Sequence, residues 1–256
     1  MKLFKRILRT ILIAAFWLGV WWLVCLGVGK PLLLPSPITV AKCLWELLGT
    51  AEFYRITANS LRNVMLGIVI AVVSGTLLAI LTSHVSLLRE LILPVMTVIK
   101  ATPVASFIIL ALIWIGAIRV PSFITVLIVL PVIWTGLDVG FSAIDPQLKE
   151  VATVYRFSPF RRFRLLTLPS LKPYFLSSLR TSLGLAWKAG IAAEIIAMPR
   201  NTIGTEIGEA KLYIETPTMF AWTLTVIFLS LMIELAVNAI FKHFEKQKGG
   251  MAHDPI

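Results

Sequence analysis

The chain has 256 residues, of which 58% are hydrophobic and only 14% are charged, and its formal net charge is +11 at pH 7. A soluble domain carries about 25% charged residues, so the composition excludes an ordinary soluble protein and indicates an integral membrane protein. The basic residues lie between apolar segments, which favours positive-inside membrane topology over nucleic-acid binding.

Six apolar segments predict a single domain of six transmembrane helices, each long enough to cross about 30 Å of hydrocarbon. The predicted spans are residues 7–28, 60–82, 91–116, 121–141, 174–198 and 218–241. The first segment contains Trp17, Trp21 and Trp22 and no small-x-small cleavage site follows it. We therefore interpret it as an uncleaved span and not as a signal peptide. Residues 39–48 predict a short amphipathic helix at the outer interface.

The distribution of basic residues predicts the orientation. Six predicted spans place the two termini and two of the loops on one side of the membrane. Of the 24 Lys and Arg residues, fourteen lie on that side and six lie in the loops on the opposite side. Because Lys and Arg are enriched on the cytoplasmic side of membrane proteins, both termini are predicted to be cytoplasmic. The polar tail from residue 242 is expected to be a solvated end.

Small residues recur every four positions in two of the predicted spans. They are Gly67, Ala71, Gly75 and Ala79 in the second span, and Ser178, Ser182, Ala186 and Gly190 in the fifth. Stripes of this kind let helix backbones approach closely in a membrane. We expect both stripes to be helix-packing surfaces.

Ionisable residues inside the predicted spans include Lys100 near Pro103, Lys188 and Glu194. Such residues are costly in a membrane and are candidates for a pathway or gate. Glu194 continues the small-residue face of the fifth span, whereas Lys188 lies on another face. Two interpretations stay open: Glu194 belongs to the gate or a dimer seam, or it forms a buried structural pair with Lys100 or Lys188.

The longest polar interruption, residues 145–173, predicts two short, basic, amphipathic helices at the membrane surface. Asp145-Pro146 and Ser158-Pro159 each combine an N-cap residue with proline at the first helical position. The first helix is expected to run to about Tyr155. Leu168-Pro169 is expected to end the second, because proline disfavours helical geometry in the residue before it. A loop of this kind is predicted to dock a partner.

The same loop resembles the signature of ABC importer permeases, which reads E-A-A, three residues, G, nine residues, I-x-L-P. Glu150-Val151-Ala152, Arg156 and Leu166-Thr167-Leu168-Pro169 fall at those spacings. The segments LLLPSP, NSLRNVMLG and AWKAGIAAEIIA also resemble the nitrate/sulfonate/taurine/bicarbonate branch of that family. The resemblance covers residues 32–241.

The resemblance implies an all-α, type I permease fold whose coupling helices dock on two copies of a cytoplasmic ABC ATPase. It further implies a second permease copy, most simply a homodimer, an extracytoplasmic binding protein, and a multi-pass location in the bacterial inner membrane. The chain would be no enzyme and would bind no cofactor, with ATP and Mg on the ATPase. The substrate would be a small solute: an anion such as a sulfonate, taurine or nitrate, or a heterocyclic vitamin precursor.

The resemblance also assigns coupling residues. They are Glu150, Ala152, Arg156, Phe160, Arg161, Arg162, Phe163, Leu168 and Pro169. Small Ala152 would let the partner approach, and the two phenylalanines would form an apolar anchor. The arginines would meet either an acidic rim or lipid phosphates. Arg156 occupies the position of the motif's glycine, so the left-handed turn is expected to be looser or displaced onto Phe157-Ser158.

Other classes of protein fit less well. The three histidines lie outside the spans, and no HExxH, GxSxG or P-loop motif is present, which argues against an enzyme or an ATPase. A secondary transporter or channel would work without an ATPase partner, and internal repeats are common among such transporters. A membrane scaffold would explain the docking loop but not the charged, proline-containing spans.

Overall fold

A computed structural model of the chain describes residues 2–249, and side chains for residues 8–239. This part is helical, with no β-strand between residues 2 and 249. The helices are α1 Lys2–Val28, α2 Pro37–Leu48, α3 Ala51–His84, α4 Ser86–Ala101, α5 Val104–Ile115, α6 Val120–Ser142, α7 Pro146–Val154, α8 Pro159–Arg162, α9 Leu168–Ala197, α10 Ile203–Leu212 and α11 Thr216–Gly249. A π-helical turn, Phe163–Thr167, joins α8 to α9. The last part of the predicted polar tail, residues 250–256, lies outside the described residues.

Four helices in the described residues are long and apolar enough to cross a membrane: α1, α3, α6 and α11. Helices α4 and α5 together qualify as a fifth crossing, although they are bent by 104° at the break between them. The predicted fifth span falls within α9, which is long enough but less apolar because it carries Arg180, Lys188 and Glu194. Apolar length therefore supports up to five of the six predicted crossings.

The region between the first two spans contains the expected short helix. Ser36 begins α2 as its N-cap, since its hydroxyl accepts a hydrogen bond from the Thr39 N–H at 3.2 Å. Helix α3 then starts at Ala51, nine residues before the predicted second span, because Thr50 caps it by accepting from the Phe53 N–H. The helix is therefore longer than its apolar stretch and projects beyond it.

The core of the protein is the contact of α6 with α3 on one side and α9 on the other. Gly67 lies so close to α6 that a Cβ atom there would come within 2.6 Å of the Ser122 carbonyl oxygen. Gly75 is nearly as close to Leu130 of α6. On the other side, Ser178 packs against Gly136 of α6. Both small-residue stripes thus lie in helix–helix contacts, where a backbone can approach because large side chains are absent.

Two buried tryptophans add directed hydrogen bonds to this packing. Trp134 Nε1 of α6 donates to Thr82 Oγ1 of α3 at 3.1 Å. Trp187 Nε1 of α9 donates to the Val226 carbonyl oxygen of α11 at 3.2 Å. These bonds fix the rotation of α6 and α11 relative to the core. By contrast, no residue in the apolar stretch of α1 is fully buried, so α1 lies at the periphery and contacts α11 through the stacking of Trp21 on Phe220.

Candidate functional site

The loop between α6 and α9 begins with a capped helix and a tight turn. The Asp145 carboxylate accepts a hydrogen bond from the Gln147 N–H at 2.8 Å, which starts α7. At the other end Arg156 adopts a left-handed backbone with φ 48°, and the Phe157 N–H donates to the Ala152 carbonyl at 2.9 Å. This six-to-one bond across a left-handed residue is the Schellman arrangement. The turn is therefore tight and centred on Arg156, and the expectation of a looser or displaced turn is wrong.

The loop has a small apolar core of its own. Ala152 is 4% exposed and packs with the buried side chains of Ile144 and Leu166, beside Phe141 and Phe157. We expected a partner surface to approach Ala152 directly. The structure corrects this point, because the space beside Ala152 is filled by the chain's own residues and its small size lets α7 lie against the start of α9.

The second helix of the loop does not end where the sequence suggested. Ser158 caps α8 by accepting from the Arg161 N–H at 3.3 Å. The helix then widens into the π-helical turn and continues into α9, with Leu168 in right-handed helical geometry directly before Pro169. The predicted stop at Leu168-Pro169 is wrong, because the Leu168 N–H bonds to the Phe163 carbonyl in the π-helical register and the chain stays helical through the proline.

Several large apolar side chains of the loop remain exposed. Val154 is 79% exposed, Tyr155 72% and Phe160 71%. Glu150 is exposed beside them. The loop arginines differ in placement: the Arg161 guanidinium lies over the Phe157 ring at 5.8 Å, whereas Arg162 lines a cavity on the inner side of the loop. The loop therefore exposes large apolar side chains and also carries several arginines.

Glu194 lies fully buried near the end of α9. Its Oε2 accepts hydrogen bonds from Ser60 Oγ of α3 at 2.7 Å and from the Gly204 N–H at 3.2 Å. Ser60 Oγ in turn accepts from the Ile203 N–H at 2.8 Å. Glu194 and Ser60 thereby satisfy two of the free N–H groups at the start of α10. The arrangement fixes α10 to the ends of α3 and α9.

The lysines proposed as partners of Glu194 lie elsewhere. Lys100 Nζ donates to Thr135 Oγ1 of α6 at 2.6 Å. The ion pairs found among the described residues are Arg55–Glu52 and Arg89–Asp138, and neither involves Glu194. The interpretation of Glu194 as a buried pair with Lys100 or Lys188 is thus wrong within one chain.

The connection between α9 and α10 is a sharp reversal. Met198 and Asn201 both have positive φ values, 48° and 57°, and Asn59 Nδ2 of α3 donates to the Asn201 carbonyl at 3.2 Å. Gly204 is in contact with Glu194, and a Cβ atom there would come within 2.5 Å of the Ile195 backbone nitrogen. Only glycine permits this approach.

The surface of α10 away from this contact is acidic. Partial burial raises the pKa of Glu206, and the neighbouring carboxylates of Glu209 and Glu52 raise it further. Arg55 neutralises part of this charge through its exposed pair with Glu52 at 2.8 Å.

The break in the third predicted span lies at Thr102 and Pro103. Helix α4 ends at Ala101 and α5 begins at Val104. Lys100 is in the last turn of α4, where a cation interacts favourably with the helix dipole. The bond from Lys100 to Thr135 ties this end of α4 to α6.

A cavity of about 280 Å³ lies between α9 and α11. Its charged and small polar lining residues recur every four positions on both helices: Arg180, Gly184 and Lys188 on α9, and Ser230, Glu234 and Asn238 on α11. Arg180, Lys188 and Glu234 are exposed, and none of them forms an ion pair within the described residues. The Asn238 Oδ1 is buried without a hydrogen-bond partner in this part of the chain. Charged side chains are not stable against lipid, so this face requires protein or water against it.

Sequence reasoning missed four residues of these sites. Ser60 and Glu234 were not singled out, and Arg89 and Asp138 were not paired, although Arg89 contacts Asp138 through two hydrogen bonds of 2.6 and 2.8 Å. The spacing of Ser230, Glu234 and Asn238 is a signal that the sequence contained. The partners of Glu194 and Asp138 had no such signal, because they lie 134 and 49 residues away in the chain.

Comparison with known proteins identifies the family. Residues 63–249 match the model of the binding-protein-dependent transport system inner membrane component, and the chain belongs to that family of ABC transporter permeases.

Its curated relatives fall in the branch that the motifs indicated. The chain is 26% identical to the taurine transport system permease protein TauC of Escherichia coli K12, over 92% of this chain and 88% of that protein. It is 24% identical to SsuC of Bacillus subtilis 168, a permease protein whose name assigns it to aliphatic sulfonates transport, over 84% of this chain and 78% of that one. It is 29% identical to the nitrate import permease protein NrtB of Leptolyngbya laminosa, over 76% of this chain and 72% of that protein.

Proposed function

We propose that this chain is the transmembrane permease subunit of an ATP-driven importer, which pairs with a second copy and couples to a cytoplasmic ATPase through residues 145–173. The observation that carries the proposal is the exposed apolar surface of that loop. Contiguous exposed apolar patches rimmed by polar residues mark interaction sites. The exposed apolar side chains are those of Val154, Tyr155 and Phe160, called the apolar patch below, and all three lie outside every apolar span.

The geometry of the loop suits rigid docking. Capped α7, the left-handed turn at Arg156 and the buried cluster around Ala152 hold the exposed residues in one arrangement. The π-helical turn connects this surface to α9 without a flexible joint. A displacement of the loop would thus move α9, and with it Glu194 and the attached helix α10.

The translocation pathway is proposed to lie along the charged face of α9 and α11, next to the same face of a second copy. Arg180, Lys188 and Glu234 have no ion-pair partner among residues 8–239, and charged side chains are not stable against lipid. The broken α4–α5 segment, with Lys100 at its break, supports a pathway nearby, because interrupted helices line the binding sites of many transporters. Glu194 is proposed to anchor the outer helix α10 that closes this pathway.

The substrate is proposed to be a small anion delivered by an extracytoplasmic binding protein. The names of the relatives refer to taurine, sulfonates and nitrate. Two cations against one carboxylate in the α9–α11 cavity give it a net positive charge. A heterocyclic vitamin precursor is the alternative substrate class.

The test is co-purification from membranes of the native host in a gentle detergent, with mass spectrometry of the partners and an ATPase assay. Tyr155→Ser combined with Phe160→Ser should reduce the recovered ATPase at least tenfold, because it removes the apolar patch and leaves the buried loop core unchanged. Tyr213→Ser is the matched control, since Tyr213 is 75% exposed and follows α10, which begins after the far end of α9. If wild type brings down no ATPase and uptake persists, secondary transport becomes the working function.

A further inference from the structure

A second cavity, of about 810 Å³, lies on the inner side of the loop that carries the apolar patch. Its walls come from the turn between α3 and α4, the end of α6, and the two short helices α7 and α8. Val154, Tyr155 and Phe160 are not among its lining residues. A ligand in this cavity would therefore leave the proposed docking surface free.

The cavity wall has an excess of positive charge. Arg89 and Asp138 line it as a neutral pair, and Asp138 is its only acidic residue among the described side chains. Lys149 of α7 and Arg162 of α8 also line it. Neither forms an ion pair within residues 8–239. Two cations that face one cavity without a counter-charge indicate an anion site.

Other hydrogen-bond donors that line the cavity fit the same kind of ligand. Ser86 and Thr167 contribute hydroxyl groups, and His84 lines the cavity as well. The His84 Nδ1 lies 2.8 Å from the Ile80 carbonyl oxygen. When Nδ1 carries the proton and donates to that carbonyl, Nε2 is left for a ligand in the cavity. Phosphate oxygens accept well from this mixture of guanidinium, ammonium and hydroxyl donors.

The position of the cavity indicates the source of the phosphate. It lies where α3, α4 and α6 leave the apolar zone, on the side that the excess of basic residues places in the cytoplasm. Basic pockets between transmembrane helices on this side bind anionic lipid headgroups. Phe141 and Phe163 supply apolar wall beside the charges, and the cavity is much larger than a phosphate ion.

We propose that this cavity binds the phosphate headgroup of an anionic membrane lipid. The headgroup joins Lys149 and Arg162 of the loop to the α3–α4 turn, and so holds the loop against the core of the permease. The proposal goes beyond the permease function and does not depend on it, because binding is a property of this chain alone.

The experiment is native mass spectrometry of the purified chain in detergent, titrated with phosphatidylglycerol or with phosphatidylcholine as the uncharged comparison. Wild type should bind one phosphatidylglycerol in preference to phosphatidylcholine. Replacing Lys149 and Arg162 together with Gln should weaken that binding about 25-fold, since each cation near a membrane surface contributes about fivefold. The control, Arg161→Gln with Arg164→Gln, removes the same charge from outside the cavity and should change binding less than about threefold.

Three outcomes would overturn the proposal. Equal loss in both double variants would mean that only net charge matters. Equal affinity for the two lipids would remove the headgroup phosphate from the site. If millimolar inorganic phosphate competes for the site and the chain shows no preference between the two lipids, the site binds a free ion. If the Gln variant fails to elute as a monodisperse peak, Lys149→Arg with Arg162→Lys takes its place and should keep the binding.

Discussion

Arg156 illustrates how far a single residue can be interpreted from sequence. The motif spacing put Arg156 where the family has a glycine in a left-handed turn, and we expected a looser or displaced turn because this geometry disfavours a residue with a Cβ by about 1–2 kcal/mol. The structure places Arg156 in that geometry and closes the turn with the bond from Phe157 to Ala152. The buried contacts of Ala152 with Ile144 and Leu166 offset the local strain.

The hydrogen-bond partners of Glu194 could be identified only from the tertiary structure. The sequence placed it on the packing face of α9 but gave no partner, and the structure supplies Ser60 and the first N–H groups of α10. These donors satisfy the Glu194 Oε2, whereas its Oε1 is buried without a hydrogen-bond partner among the described side chains. Glu194 can bind the start of α10 only because Gly204, which has no side chain, lies directly against it.

At this scale we predict that Gly204→Ala destabilises the protein by about 1–3 kcal/mol. The added methyl group would overlap Glu194 and the Ile195 backbone, neither of which can move freely. Thermal unfolding in detergent should show a Tm lower by about 2–12 °C. Gly208→Ala is the control, because its methyl group would meet the flexible end of Met198 at 3.2 Å; equal Tm values for the two variants would contradict the proposed anchor.

At the scale of elements, the proline signals were informative at helix starts and misleading at one predicted end. Pro146 and Pro159 begin helices as expected. Pro169 was expected to end one, yet the chain remains helical from α8 to α9. The π-helical turn before it changes the hydrogen-bond register, so the missing N–H of the proline does not break the helix. Local sequence preference alone does not reveal such a register change.

The α9–α11 face gives the prediction at this scale. In a variant whose Cys25 and Cys43 are serine, Ser230→Cys should react with a water-soluble thiol reagent in intact membranes at least tenfold faster than Phe228→Cys. Ser230 lines the charged cavity, whereas Phe228, two residues away at nearly the same depth, is 63% exposed on another face. Equal reaction rates would mean that the charged face lines no aqueous pathway.

At the scale of the whole molecule, the membrane topology depends on α9. Apolar length supports up to five crossings, and α9 would provide the sixth although it carries Arg180, Lys188 and Glu194 within the predicted span. A helix of this length that packs tightly on α6 can cross with charges directed toward a protein partner or water. The chain would then place α7 in the cytoplasm and α10 outside.

Single-cysteine labelling on spheroplasts checks this topology, again in a background without Cys25 and Cys43. Glu209→Cys on α10 should react with a membrane-impermeant maleimide in intact spheroplasts. Gln147→Cys on α7 should react only after the membrane is permeabilised. Both positions are exposed helical residues, so reaction of both from the same side would show that α9 does not cross.

The sequence by itself determined the class of the protein, the position of the polar loop between α6 and α9, and the two stripes of small residues. These features depend on composition and on spacings of a few residues, which the chain carries locally. The family followed from the same motifs, since their spacing extends over most of the chain.

Only the tertiary structure decided which residues act together. The partner of Glu194, the pairing of Arg89 with Asp138, the burial of Ala152 and the shared cavity of Lys149 and Arg162 all join segments distant in sequence. Such contacts depend on how α3, α6 and α9 pack, and packing is set by the sum of many weak interactions and not by any local pattern.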